Sequence, residues 1–477
     1  MASVIRFSAL LVGLFAAIAS AVHPVDVRGQ EFVDTVTNKR VMIIGADYQP
    51  GGQAGYGDGK DALSDGAVCL RDAALLQRLG ANTIRVYNVD PTLNHDECAS
   101  IFNAVGIYMI IDVNSPFGGE SLNRDEPWTS YHKEYLARIF GVVENFKGYP
   151  NTMAFFAANE VMNDLKTAQE NPKYIRAVQR DLKNYIKKHS DRPIPVGYSA
   201  ADVREILEDT WAYFQCDHDD DQSRSDFFGL NSYSWCGNQA TFNTAGYDVL
   251  AKMFKESAIP VFFSEYGCNE IMPRGFNEVQ ALYGKEMSAL SGGLVYEYSQ
   301  EESNYGLVEI EKNGTVTLRP DFDNLQAQFN KLDIALVQSA DPSSTSIKAP
   351  KCDAKLISAK EFSKNFTIPA EPPGAKDLIN NGIKNPKRGK IINVSETKVA
   401  MAVYGTSGEA IKDLSIRKLT NDDSNTPNGE TTSPPESPAA AGQAAPSSSP
   451  KPESAASKLT GGWTLLFAVF AAVLTVL

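Results

Sequence analysis

The stretch Met153 to Asp164, MAFFAANEVMND, decides the fold. It opens with an unbroken apolar run and stops abruptly at Asn159-Glu160. A short continuous apolar run suits a strand covered on both faces, the kind found in parallel sheets packed by helices. Seven further runs share this form: VMIIGADYQ from Val41, NTIRVYNV from Asn82, YMIIDVN from Tyr108, PIPVGYS from Pro193, FFGLNSYSW from Phe227, PVFFSEYG from Pro260 and GLVYEYSQ from Gly293.

Helical patterns lie between these runs. DGAVCLRDAALLQRLG places Val68, Leu75, Leu76 and Leu79 on one face, and Gly80 can end it. NPKYIRAVQRDLKNYIKKHS carries Pro172 in its first turn and basic residues at its end. SYHKEYLARIFGVVENFKG and FNEVQALYGKEMSALSGG behave alike. Eight strand-then-helix units predict an α/β fold, a (β/α)8 TIM barrel. A doubly wound open sheet is the alternative. It usually carries a glycine-rich phosphate turn, and YQPGGQAGYGDGK fits neither nucleotide-binding pattern. That segment is expected to be a flexible loop lining a site.

The ends extend this frame. Residues 1–21 read as a secretory signal peptide, with Arg6 before an apolar run and Ala19-Ser20-Ala21 at its end. Residues 458–477 read as an apolar tail of the kind exchanged for a GPI lipid, with Ser454 the candidate attachment residue. Ordinary tail anchoring is the alternative. The barrel is expected over 22–340 and a small β-rich module over 341–415. A disordered Ser/Thr/Pro-rich stalk is expected over 416–457, where too little apolar area exists to offset ordering entropy.

The net charge of −13 argues against a nucleic-acid partner. The six cysteines, in a secreted chain, predict disulfides, and their pairing is open among 15 possibilities from sequence alone. No CxxC favours zinc. The acidic run DHDDD (Asp217 to Asp221) lacks the glycine and glutamate of a calcium loop and is expected to be a solvated acidic loop. Sequons stand at Asn313, Asn365 and Asn393.

In such barrels the chemistry sits at the C-terminal ends of the strands. Those ends would gather Tyr87, Asp112, Asn114, Asn159, Glu160, Asn231, Tyr233, Glu265, Tyr266, Tyr296, Glu297 and Tyr298. Carboxylates, amides and phenols together suit hydroxyl-rich ligands, and cleaving a glycosidic bond needs two carboxyl groups. Glu160 and Glu265 each close an apolar run. They are the candidate pair, with Glu297 and Asp112 in reserve. A strand-end carboxylate can also simply hold an arginine, and Arg85, if it points inward, would need such a partner. Neither an HExxH nor a GxSxG pattern occurs, and no histidine is placed to activate Ser264.

Taken together, AANE, FFSEYG, GADYQPGG, IRVYNVDP and VYEYSQEESNYGLV resemble the fungal GPI-anchored 1,3-β-glucanosyltransferases of glycoside hydrolase family 72, from about Val25 to Leu414. The resemblance implies a retaining mechanism with Glu160 as acid/base and Glu265 as nucleophile. Asn159 would hold the sugar 2-hydroxyl, and Tyr233 would lie beside the nucleophile. Gln49, Tyr87 and Asp112 would contact sugar, and Tyr296 and Tyr305 would be stacking platforms. The pairs Cys69–Cys98, Cys216–Cys352 and Cys236–Cys268 are implied too, the second tying the small module to the barrel. No cysteine follows Cys352, so the chain resembles the shorter members that lack a cysteine-rich carbohydrate-binding module. Implied partners are β-1,3-glucan donor and acceptor chains and, through a GPI lipid, the outer face of the plasma membrane or the cell wall. Neither a cofactor nor a metal is implied. Endo-β-1,3-glucanase activity and non-catalytic glucan binding are the competing functions.

Overall fold

The structure, a computed structural model, describes residues 22–218, 222–339, 341, 344, 346–419 and 424–432. The expected signal peptide, the GPI tail with Ser454, Asp219 to Asp221 and most of the expected stalk lie outside these residues.

All eight predicted barrel strands are present. A hairpin of β1 (Val25–Arg28) and β2 (Glu31–Asp34) precedes them. The barrel consists of β3 (Ile43–Asp47), β4 (Thr83–Val86), β5 (Tyr108–Asp112), β6 (Thr152–Asn159), β7 (Val196–Ala201), β8 (Phe228–Asn231), β9 (Val261–Tyr266) and β10 (Gly292–Val295). They close in the order β10-β3-β4-β5-β6-β7-β8-β9, each pair parallel. Nearly every strand residue is buried, which is why the sequence shows unbroken apolar runs rather than alternation.

Helix boundaries follow the local chemistry. Helix Gly66–Leu79 starts where the Asp65 carboxylate accepts from the Ala67 and Val68 amides, and it stops at Gly80, whose φ of 89° is left-handed. Helix Asn171–His189 has proline in its first turn and ends on Lys187, Lys188 and His189. The helix expected from FNEVQALYGKEMSALSGG is shorter: Glu278–Leu282 gives way at Gly284, which is extended (φ −83°, ψ 170°), to a single turn Lys285–Met287.

Inside the barrel, the end opposite the strand C-termini is an apolar plug. Phe156, Phe227 and Phe262 meet there, with ring centroids 5.1–6.0 Å apart. Phe32 of the N-terminal hairpin caps Phe227 and Phe262 at 5.8 and 6.0 Å.

The segment expected to be a small β-rich module is built differently. Over 341–415 the described residues include one two-residue strand, β13 (Val403–Tyr404), one α-helix, Ala375–Asn381, and a single 3-10 turn, Ala354–Leu356. Strand β13 joins β11 (Val308–Ile310) and β12 (Val316–Leu318) in a three-stranded sheet. Its apolar residues Ile357, Phe362, Phe366, Ile379 and Val403 belong to the same cluster as the barrel helices. The segment is mostly a chain laid along the barrel; its antiparallel pairing is confined to the bridges Lys398–Ser415 and Tyr404–Ala410 near its end. The Ser358 and Ala359 amides both donate to Asp209.

Part of the segment expected to be a stalk, residues 416–419 and 424–432, is described and docked on the barrel. Asn425 donates from its side chain to the Gln77 and Ala81 carbonyls, and Thr432 exchanges hydrogen bonds with Gln326. These polar anchors, unlike apolar area, leave no trace in composition. The disulfides are Cys69–Cys98, Cys216–Cys352 and Cys236–Cys268. The second holds the 341–415 segment to the end of helix Leu207–Gln215.

Candidate active site

Arg85 organises the mouth of the barrel. It points inward from β4, fully buried. Its Nε and Nη2 donate to the two Asp112 oxygens at 3.0 and 2.9 Å, and Nη2 also donates to Asn159 Oδ1 at 2.9 Å. Its Nη1 reaches the Ser264 carbonyl and Glu265 Oε1 at 3.2 and 3.3 Å. The guanidinium lies over the rings of Tyr87 and Phe156, 4.3 and 4.5 Å from their centroids. Asp112 thus spends both oxygens on Arg85 rather than facing the opening.

Glu265 closes β9 and is 8 % exposed. Besides Arg85 it accepts from Tyr87 Oη at 2.8 Å and Tyr233 Oη at 2.7 Å. Burial pushes both phenols well up, so each remains an O–H donor. For Glu265, burial raises the carboxyl to about 7; the charge of Glu160 adds to this, while Arg85, Tyr233 and Tyr87 oppose it.

Glu160 follows the last residue of β6 with φ 47°, a left-handed value that is uncommon outside glycine and costs roughly 1–3 kcal/mol. Such backbone turns a side chain out of the strand's alternation. Asn231 Nδ2 donates to Glu160 Oε1 at 2.8 Å and to Asn159 Oδ1 at 3.1 Å. The amide is fixed in this sense because Asn231 Oδ1 accepts from Ser199 and Ser264 hydroxyls at 3.0 and 2.7 Å. Ser264 is thereby a support for Asn231. Asn159 Oδ1 is filled by Arg85 and Asn231, so its Nδ2 is the end left to donate to a ligand.

Tyr296 and Tyr305 form, with Tyr233, an aromatic wall. Their centroids are 5.2 Å apart, and each faces Tyr233, at 6.3 and 5.5 Å. Arg274 holds it from behind, donating to both the Tyr296 and Tyr305 carbonyls while pairing with Asp321. Cys236–Cys268 joins the loops that follow Tyr233 and Glu265. Glu297 lies behind this wall with Ser303, its carboxyl pushed up to about 8 by burial and by Glu301.

Asp47, and the part played by Asn231, escaped sequence reasoning. Asp47, at the end of β3, is fully buried, and neither carboxylate oxygen has a partner. Burial pushes its pKa well up, Arg85 opposing this and Glu265, Asp112 and Glu297 adding to it. Its sequence signal, an Asp closing an apolar run, was the same as that of Asp112. Gln49, two residues on, is 4 % exposed and both its amide atoms are also unpartnered. The role of Asn231 depended on contacts across the barrel.

Among the described residues, one group has side-chain atoms close enough to hold a metal, Cys236, Cys268 and Glu270, and its two cysteines are disulfide-bonded. The arrangement is therefore that of a carbohydrate-active (β/α)8 enzyme: two carboxyl groups at one rim, one held by three donors, beside an amide with a free N–H and a wall of tyrosines.

The chain belongs to the glucanosyltransferase family, glycoside hydrolase family 72, which it matches over residues 14–333. It is 55 % identical over 410 residues to 1,3-beta-glucanosyltransferase gel2 of Aspergillus fumigatus, covering 86 % of each chain. It is 44 % identical over 409 residues to the probable 1,3-beta-glucanosyltransferase GAS3 of Saccharomyces cerevisiae, covering 81 % of this chain and 78 % of that one. Among solved structures it is similar to Saccharomyces cerevisiae Gas2p in complex with laminaripentaose, with a TM-score of 0.67 and 37 % identity over 75 % of this chain and 79 % of that one.

Proposed function

We infer that this protein is a retaining 1,3-β-glucanosyltransferase that cleaves β-1,3-glucan internally and joins the new reducing end to the non-reducing end of another glucan. The observation that carries this reading is the asymmetry of the carboxyl pair. Glu265 accepts from Arg85, Tyr87 and Tyr233, whereas Glu160 accepts from one amide, Asn231. The three donors favour the ionised form of Glu265, the form a nucleophile needs, against the burial that raises it, and Glu160 is left as the acid/base.

The chemistry follows in two steps. The Glu265 carboxylate attacks the anomeric carbon; the glycosidic C–O bond breaks, and Glu160 gives its proton to the leaving oxygen. Arg85, Tyr87 and Tyr233 hold the carboxylate in place for this attack, and Asn159 Nδ2 is free to donate to the 2-hydroxyl. In the second step an acceptor hydroxyl attacks the same carbon, Glu160 takes its proton, and the bond to Glu265 breaks. An acceptor stacked on Tyr296 and Tyr305 has a high effective concentration and displaces water, which favours transfer over hydrolysis. Gln49, with two unpartnered amide atoms, is a sugar contact, and Asp112 acts through Arg85.

The same reading places the enzyme outside the cell. Three disulfides suit an oxidising compartment. Removal of the leader 1–21 and exchange of the tail near Ser454 for a GPI lipid would tether it to the plasma membrane or wall. Asn313, Asn365 and Asn393 are all exposed, as glycan acceptors must be. Among the described residues no helix is long and apolar enough to cross a membrane.

Product sizing tests the function. Incubated with reduced laminari-oligosaccharides, the enzyme should yield chains longer than the starting material. Only shorter products would make it an endo-glucanase, and no products at all a binding protein.

A further inference from the structure

Phe117 is 50 % exposed, although a phenylalanine gains nothing from water. It is also held still. Its ring lies against Tyr56, with centroids 5.1 Å apart at 36°. Its amide donates to Ser115 Oγ at 3.2 Å. Gly57, at φ 112°, brings bare backbone under the ring, since a Cβ there would stand 3.2 Å from Phe117 Cζ. On the other side Gly118 and Gly119 face open space. The ring is thus backed by Tyr56 and Gly57 and left open outward.

This pair is fastened to the active site through Arg138. Arg138 lies on helix Lys133–Phe146, pairs with Glu120 at 2.8 Å, and donates to Tyr56 Oη at 3.3 Å and to the Val89 carbonyl at 3.0 Å. It therefore binds together the loops after β3, β4 and β5. These are the loops that leave Gln49, Tyr87 and Asp112. The tyrosine wall stands on the loops after β8 and β10, so the two aromatic surfaces occupy different parts of the same rim.

We propose that Tyr56 and Phe117 form a second, outlying platform that binds glucose units of the β-1,3-glucan chain remote from the bond being cleaved. A pyranose offers an apolar C–H face and hydroxyl edges. Phe117 offers the matching flat surface, with exposed Asp58 and Lys60 on the adjoining loop to meet hydroxyls. Rigid support keeps the entropy cost of binding low. The platform gives the barrel itself a hold on long glucan. The proposal rests on the substrate class inferred above.

The test uses the full secreted chain and donors graded from laminaritriose to laminariheptaose. Phe117→Ala should lower kcat/KM about tenfold on the longest donors, or weaken long acceptors to the same extent, while the shortest cleaved donor changes less than about twofold. Phe117→Trp should restore the wild-type length dependence. Equal losses at every length, or no change with either donor or acceptor length, overturn the platform. Wild-type products that never outgrow the donor would instead overturn the transferase reading, while the length dependence of cleavage still reports on Phe117.

Discussion

The two ends of one barrel are built by opposite rules. At the closed end, Phe32, Phe156, Phe227 and Phe262 interlock with no polar side chain among them. At the open end, Arg85, Asp112, Asn159, Glu160, Asn231 and Glu265 share one hydrogen-bonded network. Arg85 marks the boundary, because its guanidinium lies over Phe156 while its nitrogens serve the carboxylates above. The closed end supplies stability through shape. The open end holds several buried carboxyls around one guanidinium, an arrangement justified by chemistry rather than by stability.

If that division is right, substitutions at the two ends should separate cleanly. Glu265→Gln should lower transfer by at least about 10³-fold, with the melting temperature unchanged or raised, because a buried acid is replaced by a neutral isostere. Phe227→Ala should do the reverse: a loss of about 3–5 kcal/mol in denaturant unfolding, with specific activity of the remaining folded protein kept. A smaller effect should come from Tyr87→Phe, which removes one donor from Glu265 and should cost about 10- to 100-fold in kcat. The phenol stabilises the ionised form, so its loss should also move the acidic limb of the kcat/KM profile to higher pH.

The smallest effect concerns stability and pH. Asp181, raised to about 6, Glu265 and Glu278, raised to about 7, and Glu297, raised to about 8, all bind protons more tightly folded than unfolded. A raised acid makes stability fall as pH climbs from its unfolded to its folded pKa. The melting temperature should therefore decline between about pH 5 and pH 8. Glu297→Gln should lessen the decline at its alkaline end without abolishing transfer. A flat profile would show that these four carboxyls are not raised by burial, and loss of transfer in Glu297→Gln would place that carboxyl in the chemistry.

Much of the barrel was legible because parallel strands buried on both faces must be apolar throughout, and caps such as Asp65 and Gly80 are local chemistry. Glu160 and Glu265 stood out because each ends such a run. What stayed hidden was pairing across the barrel. Nothing near Asp112 in sequence says that its partner is Arg85, and nothing near Asn231 says that two serines orient it. The 341–415 segment misled for the same reason: only its end pairs with itself, and most of its apolar residues cover distant helices. Asn425 and Thr432 dock through single polar contacts that composition does not register.

The central claim is that Glu265 attacks the sugar while Glu160 delivers the proton. A fluorinated laminari-oligosaccharide with a good leaving group should stall the covalent intermediate for peptide mass spectrometry. The account predicts one sugar on the peptide containing Glu265, and none in Glu265→Gln. A label on Glu160 or Glu297, or a burst of product without any labelled peptide, would contradict it.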